Sequence, residues 1–281
     1  MTRAAARLHM AQPALSQAIA NLESELGFQL LERHARGVTV TPAGSKFLEK
    51  ARQALAAESE AANTAQSLAR ASQGAMELGF LGAPPGLHSP ELLDAFTRAH
   101  PGAELNYHEL QFPSGSTSTW LGRVDLAVVN RPPAESGLWI QPLRPEPRVV
   151  VASRTHPLSG RGELALADVL DETYIGTSPA VAPWFAGTFT FDDHRGGPPP
   201  NVTSDHASNT QELFAMIADG RAIAVMPKCH AEILIKVLPK SVMLEVTDAS
   251  PAELVLAGRE DHRSPLVDAF RETAASLGAT D

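Results

Sequence analysis

Thr2–Gly44 reads TRAAARLHMAQPALSQAIANLESELGFQLLERHARGVTVTPAG, and its apolar spacing decides the architecture of the front of the chain. Thr2–Leu8 makes a short amphipathic helix on Ala5, Ala6 and Leu8, and His9–Pro13 breaks it. From Ala14 to Leu26 a second amphipathic helix sets Leu15, Ile19, Leu22 and Leu26 on one face to be buried, and Gly27 ends it. Ser16, Gln17, Asn21 and Ser24 fall largely outside that apolar set. Two short helices joined by a few residues are the helix-turn-helix layout, whose second helix enters the major groove. Polar side chains on its early turns can exchange hydrogen bonds with base edges and phosphates.

Charge agrees once it is divided. The whole chain of 281 residues carries −9, which argues against nucleic acid. Residues 1–53 nevertheless hold seven Arg and Lys against four Glu, and the remainder holds 16 against 28 acids. A basic module on an acidic body suits phosphate contact, which is electrostatic. The single cysteine, Cys229, excludes an internal disulfide framework and fits a reducing cytoplasm. No stretch reaches transmembrane length and no signal-peptide pattern opens the chain, so a cytoplasmic protein without membrane partners is expected.

Thr41–Pro42 is a helix start, a Thr cap before Pro at the first helical position. The helix runs to about Ser72, and Leu48, Ala51, Leu55, Glu58, Ala62, Ala65 and Ala69 keep a three–four spacing along it. That seam suits pairing with another helix, a lone solvated helix being the other reading. From Ala75 strands and helices alternate. Strands are expected at Met76–Gly82, Glu104–Leu110, Leu126–Asn130, Arg148–Ser153, Thr173–Gly176, Ala222–Met226, Met243–Val246 and Glu253–Ala257. Helices are expected at Pro90–Ala99, Ser208–Asp219, His230–Ile235 and Leu266–Leu277. The fold class is therefore α/β with largely parallel sheets, behind an N-terminal all-α winged helix-turn-helix. Gly196–Pro200 reads as a surface loop.

The stretches TRAAARLH, AQPALSQAIANLESELG, LLER and GVTVTPAG closely resemble the N-terminal domain of the LysR-type transcriptional regulators. The resemblance implies that Ala11–Ser16 open the recognition helix, with Gln12, Pro13, Ser16 and Gln17 as base or phosphate contacts. It places Arg33 and Arg36 beside the turn of the wing, touching backbone or minor groove. It also implies a helix ahead of the residues matching Thr2, whereas this chain starts at Met1. A shortened winged helix-turn-helix over residues 1–41 is expected on that ground, through a start assigned too late or a truly shorter protein. In the second case the alternative function is a small-molecule-binding module that has lost DNA binding.

The body resembles the family's effector region in MELGFLGAP, PELLDAFTRAHPGAEL, VDLAVV, RVVVASRTHPL, LALADVLDETYI and ELFAMIADGRAIAVMP. Such regions look like type-2 periplasmic binding proteins, two α/β lobes joined by two crossing strands. By resemblance residues 42–73 are a linker helix that pairs antiparallel between subunits, giving a dimer or tetramer. Residues 75–281 become the effector domain, with lobe I at 75–149 and 254–281 and lobe II at 150–253. The partners implied are double-stranded operator DNA and a small-molecule effector, with no cofactor.

In open α/β sheets ligands sit beyond the carboxyl ends of strands. That rule selects Pro84 and Ser89 after the first strand, Arg131, Thr177, Ser178, Asp205 and Pro227 as effector contacts. Ser89 before Pro90 is better explained as a helix cap, the commoner use. Thr177 and Ser178 are also ordinary turn residues. Arg131 matches a carboxylate bidentately or stands as a solvated charge. Asp205 fits a helix start.

Enzyme readings find no support. Asp192, Asp193 and His194 lack a second ligand set at metal spacing, and a surface loop explains them better. Cys229 and His230 are sequence neighbours, whereas catalytic Cys–His pairs converge from separate segments. No GxSxG, strand-linked GxGxxG or P-loop occurs.

Overall fold

The computed structural model describes residues 2–34, 37–82, 89–114 and 117–278. The chain divides into two compact units, Met1–Ala62 and Asn63–Asp281. The first contains α1 (Thr2–Arg7), α2 (Gln12–Leu26), β1 (Leu31–His34), β2 (Gly37–Val40) and most of α3 (Pro42–Ser72). Between α1 and α2 the chain turns through His9 at φ 52°, and the Met10 amide donates to Ala5 O at 3.0 Å. Gly27 ends α2 in the left-handed conformation that glycine takes without a Cβ penalty, its amide donating to Glu23 O. Ala5, Leu15 and Leu30 are buried, Ile19 and Leu26 half-buried, and Leu22 lies exposed at the edge of the apolar stripe. Glu23 ties α2 to the hairpin, its Oε1 accepting from the Leu30 and Leu31 amides at 2.7 and 3.0 Å.

Thr41 caps α3, its Oγ1 accepting from the Gly44 amide at 2.8 Å and donating to Gln29 O at 2.8 Å. A Cβ on Gly44 would sit 2.2 Å from Leu30 O, so this helix start packs against the chain before the wing only with glycine there. The 31 residues of α3 correspond to roughly 46 Å of helix. Leu48, Leu55 and Leu68 along it are exposed.

The second unit follows as β3 (Ala75–Phe80), α4 (Pro90–Ala99), β4 (Glu104–Glu109), β5 (Leu126–Asn130), β6 (Leu138–Glu146), β7 (Arg148–Ser153) and β8 (Glu163–Leu164). It continues with α5 (Leu166–Val169), β9 (Thr173–Thr177), α6 (Pro183–Ala186), β10 (Asn201–Ala207), α7 (Thr210–Asp219) and β11 (Ala224–Pro227). It ends with α8 (Lys228–Val237), β12 (Ser241–Val246), β13 (Ala252–Arg259) and α9 (Pro265–Gly278).

Two lobes result, each built on its own sheet. One has the strand order β4-β3-β5-β13-β6, the other β11-β7-β12-β8. The separate pair β10-β9 joins the second sheet through the bridge between Tyr174 and Ile223. The chain crosses between lobes twice, through Pro147 alone and through residues 247–251. The sheets are mixed and not largely parallel. β13 runs antiparallel to β5 and β6, and β7 antiparallel to β11 and β12. The strands flanking the crossings are the reason, since the chain passes straight from one sheet into the other there.

Met76, Leu78, Phe96, Leu126 and Phe270 fill the space between the first sheet and its helices, with the Phe96 and Phe270 rings 4.8 Å apart. Tyr174, Phe191, Val150 and Ile223 do the same in the second lobe. A third cluster draws on both sheets, Val129 and Val255 from one and Val149 and Met226 from the other.

The final turns of α3 dock on the first lobe through buried polar groups. Asp125 is 4% exposed and accepts hydrogen bonds from Ser67 Oγ and from the Glu77 amide, the latter at 2.8 Å. His262 Nε2 lies 3.0 Å from Ser67 Oγ and 3.1 Å from Asp125 Oδ1. Arg70 reaches Glu77 at 3.3 Å, and Arg259 donates to Thr64 Oγ1 at 3.0 Å. Among the described residues no helix is long and apolar enough to cross a membrane.

Candidate functional sites: the recognition helix and the interlobe cleft

On α2, Gln12 donates to Ser16 Oγ and Gln17 to Asn21 Oδ1, both at 2.8 Å. Gln12, Pro13 and Gln17 are exposed and Ser16 half-buried, so the early turns present amide and hydroxyl groups outward. Such groups in this position can bond base edges and phosphates. In the wing Arg33 pairs with Val38 across the hairpin, while Arg36 lies outside the described residues.

The second unit holds a cleft of about 440 Å³. Leu81 and Gly82 after β3, Asn130 and Arg131 at the end of β5, and Met226 and Pro227 at the end of β11 bring strand ends to it. Beyond those ends, Trp184, Phe185 and Phe189 line it together with Leu213 and Phe214 of α7, and the Phe112 ring packs 5.1 Å from Phe185 and 5.5 Å from Phe189. The rings pack edge to face, Phe185 lying 5.2 Å from Phe189 and 5.6 Å from Trp184. Gly82 has φ +75°, and a Cβ there would stand 3.2 Å from His230 Nδ1; glycine thus lets the imidazole approach the cleft floor.

Arg148 is the buried cation of the site, 7% exposed. Its guanidinium bonds both oxygens of Asp193 at 2.8 Å, and also Ser250 O and Ser250 Oγ at 2.7 Å. Burial alone would raise the Asp193 pKa, but the Arg148 hydrogen bonds and charge outweigh it and hold the carboxyl below its ordinary value. Arg131 pairs with Glu253 at the mouth, where both are exposed. The Asn130 side-chain oxygen is buried with no hydrogen-bond partner among the described residues.

Of the residues selected from sequence, Arg131 and Pro227 line the cleft. Pro84 lies outside the described residues. Ser89 stands at the head of α4 without a side-chain cap bond and does not line the cleft. Thr177 and Ser178 close a turn away from it, with the Ser178 amide on Ala207 O at 2.9 Å and its Oγ accepting from the Ala180 amide. Asp205 faces Arg221 at 3.5 Å on the exposed surface. Neighbouring Asn209 caps α7, accepting from the Glu212 amide at 2.9 Å. Sequence reasoning passed over the aromatic wall and Arg148. Four aromatics crowd into residues 184–191 of a chain only 5% aromatic, which was the available signal.

The Asp192–His194 cluster is occupied by protein contacts. Asp193 holds Arg148, Asp192 accepts from Thr190 Oγ1 at 2.7 Å, and His194 Nε2 meets Ser250. Among the described residues no group of three or more His, Cys, Asp or Glu is placed to hold a metal. Cys229 is buried, and that burial, with the nearby Glu146 charge, pushes its thiol up to about 12.

Comparison with known proteins assigns both parts of the chain. A family model for the bacterial regulatory helix-turn-helix protein of the lysR family matches residues 1–45, and the LysR substrate binding domain matches residues 62–278. The chain is 31% identical over 275 residues to the transcriptional regulator BudR of Raoultella terrigena, covering 96% of this chain and 93% of that one. Full-length CbnR complexed with its target DNA shares the fold at TM-score 0.60 and 22% identity, covering 99% of this chain and 94% of that one. The BenM effector binding domain with its effector benzoate shares it at TM-score 0.55 and 20% identity, over 73% of this chain and 92% of that one. The expectation of a helix-turn-helix missing its first helix is corrected. The family match starts at residue 1 and runs through α1, α2 and the wing, so this module is intact. With that correction, the reading of a binding module stripped of DNA recognition loses its basis. The chain belongs to the LysR family of bacterial transcriptional regulators, which bind operator DNA and answer to small-molecule effectors as oligomers.

Proposed function

We propose that this regulator reads its operator through Gln12, Pro13, Ser16 and Gln17, with Arg33 and Arg36 on the wing. A small organic effector then occupies the cleft bounded by Asn130, Arg131, Arg148, Trp184, Phe214 and Pro227. In this reading residues 1–41 bind DNA, 42–73 pair subunits and 75–281 sense the effector. Paired recognition helices fall on half-sites spaced by the helical repeat of DNA. The observation that carries the effector site is the convergence of three strand ends on one aromatic-walled cleft of about 440 Å³, the size of a small-ligand site.

The effector acts by binding one arrangement of the two lobes better than the other, and it shifts the equilibrium only by that difference. The test begins with ligands selected for raising the melting temperature of the full chain but not of a Thr188→Trp variant, which fills the cleft. Binding and footprint on the gene's own upstream DNA are then measured with and without them, at several salt concentrations. Altered affinity, footprint or transcription is expected. A cleft ligand that changes none of the three overturns the proposal.

A further inference from the structure

We infer that the cleft takes an uncharged or cationic aromatic molecule and discriminates against carboxylates. The inference rests on the cleft being the effector site and concerns what that site selects. Five aromatic rings, those of Phe112, Trp184, Phe185, Phe189 and Phe214, supply walls suited to a flat ring.

Charge then decides the class. Three carboxylates and two guanidinium groups line the cleft, and each carboxylate is already paired, Asp193 with Arg148, Glu253 with Arg131 and Asp192 with Arg195 at 3.9 Å. Neither guanidinium is set to receive an anion. Arg148 already makes four hydrogen bonds within the protein, two of them to Asp193 as a bidentate pair. Arg131 is engaged by Glu253, whose own charge stands at the mouth. A ligand carboxylate would have to displace a protein carboxylate from its guanidinium while facing the remaining two.

A cation need displace no protein group and can settle on the aromatic faces.

Three probes of one shape test this: 2-naphthylmethylamine, 2-naphthalenemethanol and 2-naphthoate, titrated calorimetrically into the full chain at pH 7. The amine or the alcohol is expected to bind at least tenfold more tightly than the carboxylate. Thr188→Trp should abolish the binding of that tighter probe. Tightest binding by 2-naphthoate, lost in Thr188→Trp, would overturn the charge argument and leave the cleft reading standing. Binding that persists in Thr188→Trp, or no binding by any probe at millimolar concentration, would overturn the cleft reading and this inference with it.

Discussion

Asp125→Ala should be the most damaging single change in the docking of α3. In the native protein its carboxylate receives Ser67 Oγ, the Glu77 amide and His262 Nε2. After truncation Ser67 and His262 can still satisfy each other across 3.0 Å, but the buried Glu77 amide is left without its acceptor. One stranded amide costs about 1–3 kcal/mol, and the lost charge-assisted bonds bring the total to about 3–5 kcal/mol. For a unit of this size each kcal/mol moves the melting temperature about 2–4 °C, so a fall of roughly 10 °C is expected. Trp120, Trp139 and Trp184 all lie within Asn63–Asp281, so tryptophan fluorescence of the full chain follows this unit alone.

The pH dependence adds an independent check. Burial pushes the Asp125 pKa up, but the bonds from His262, Glu77 and Ser67 together outweigh it, and the carboxyl is held below its ordinary value. A depressed carboxyl stabilises fully above its unfolded pKa of about 3.9, and the effect disappears as pH falls through the folded value. The part of the gap that comes from the Asp125 charge should narrow as pH falls below about 4. A fall under about 2 °C at neutral pH, against the size scaling above, would refute the reasoning. So would a gap that widens in acid.

Three further outcomes follow from other parts of the chain. Gln17→Ala or Ser16→Ala should weaken operator binding by about 1–3 kcal/mol in fluorescence anisotropy at fixed salt, the range of a specific base contact. Unchanged affinity and sequence preference would remove these residues from recognition. Replacing the exposed Leu48 and Leu55 together with Glu should dissociate the assembly in size-exclusion chromatography with light scattering, and a persistent native oligomer would reject the α3 seam. Cys229, with its thiol near 12 and its side chain buried, should react with Ellman's reagent at pH 8 only once the protein unfolds; rapid native labelling would contradict its burial.

Sequence patterning captured elements whose local signals agree with their packing. The Thr41–Pro42 start of α3, the Gly27 stop of α2, and α4 and α7 follow from caps and apolar periodicity. Strands β6 and β10 were missed for opposite reasons. Pro142 and Pro145 interrupt β6, yet it keeps its pairing with β13 across a register shift. β10 is polar and mostly exposed, so alternation gave no apolar face to detect. The mixed strand directions were illegible because antiparallel entry is dictated by where the chain crosses, which no local pattern records. The cleft was half legible. Strand ends pointed to Arg131 and Pro227, but the union of Arg148, Asp193 and Ser250 requires three segments far apart in sequence to meet.

Arg148 lies immediately after the first crossing and Ser250 within the second, so one guanidinium lashes both passages together. Two independent links would let the lobes shear, twist and separate. Lashed links leave mainly rotation about a shared line, because any other motion stretches the bonds from Arg148 to Ser250. Asp193, on the cleft wall, grips the same guanidinium, so the lining of the cavity and its axle are held by one side chain. A molecule that displaced Asp193 would thereby loosen the guanidinium that ties the two passages together.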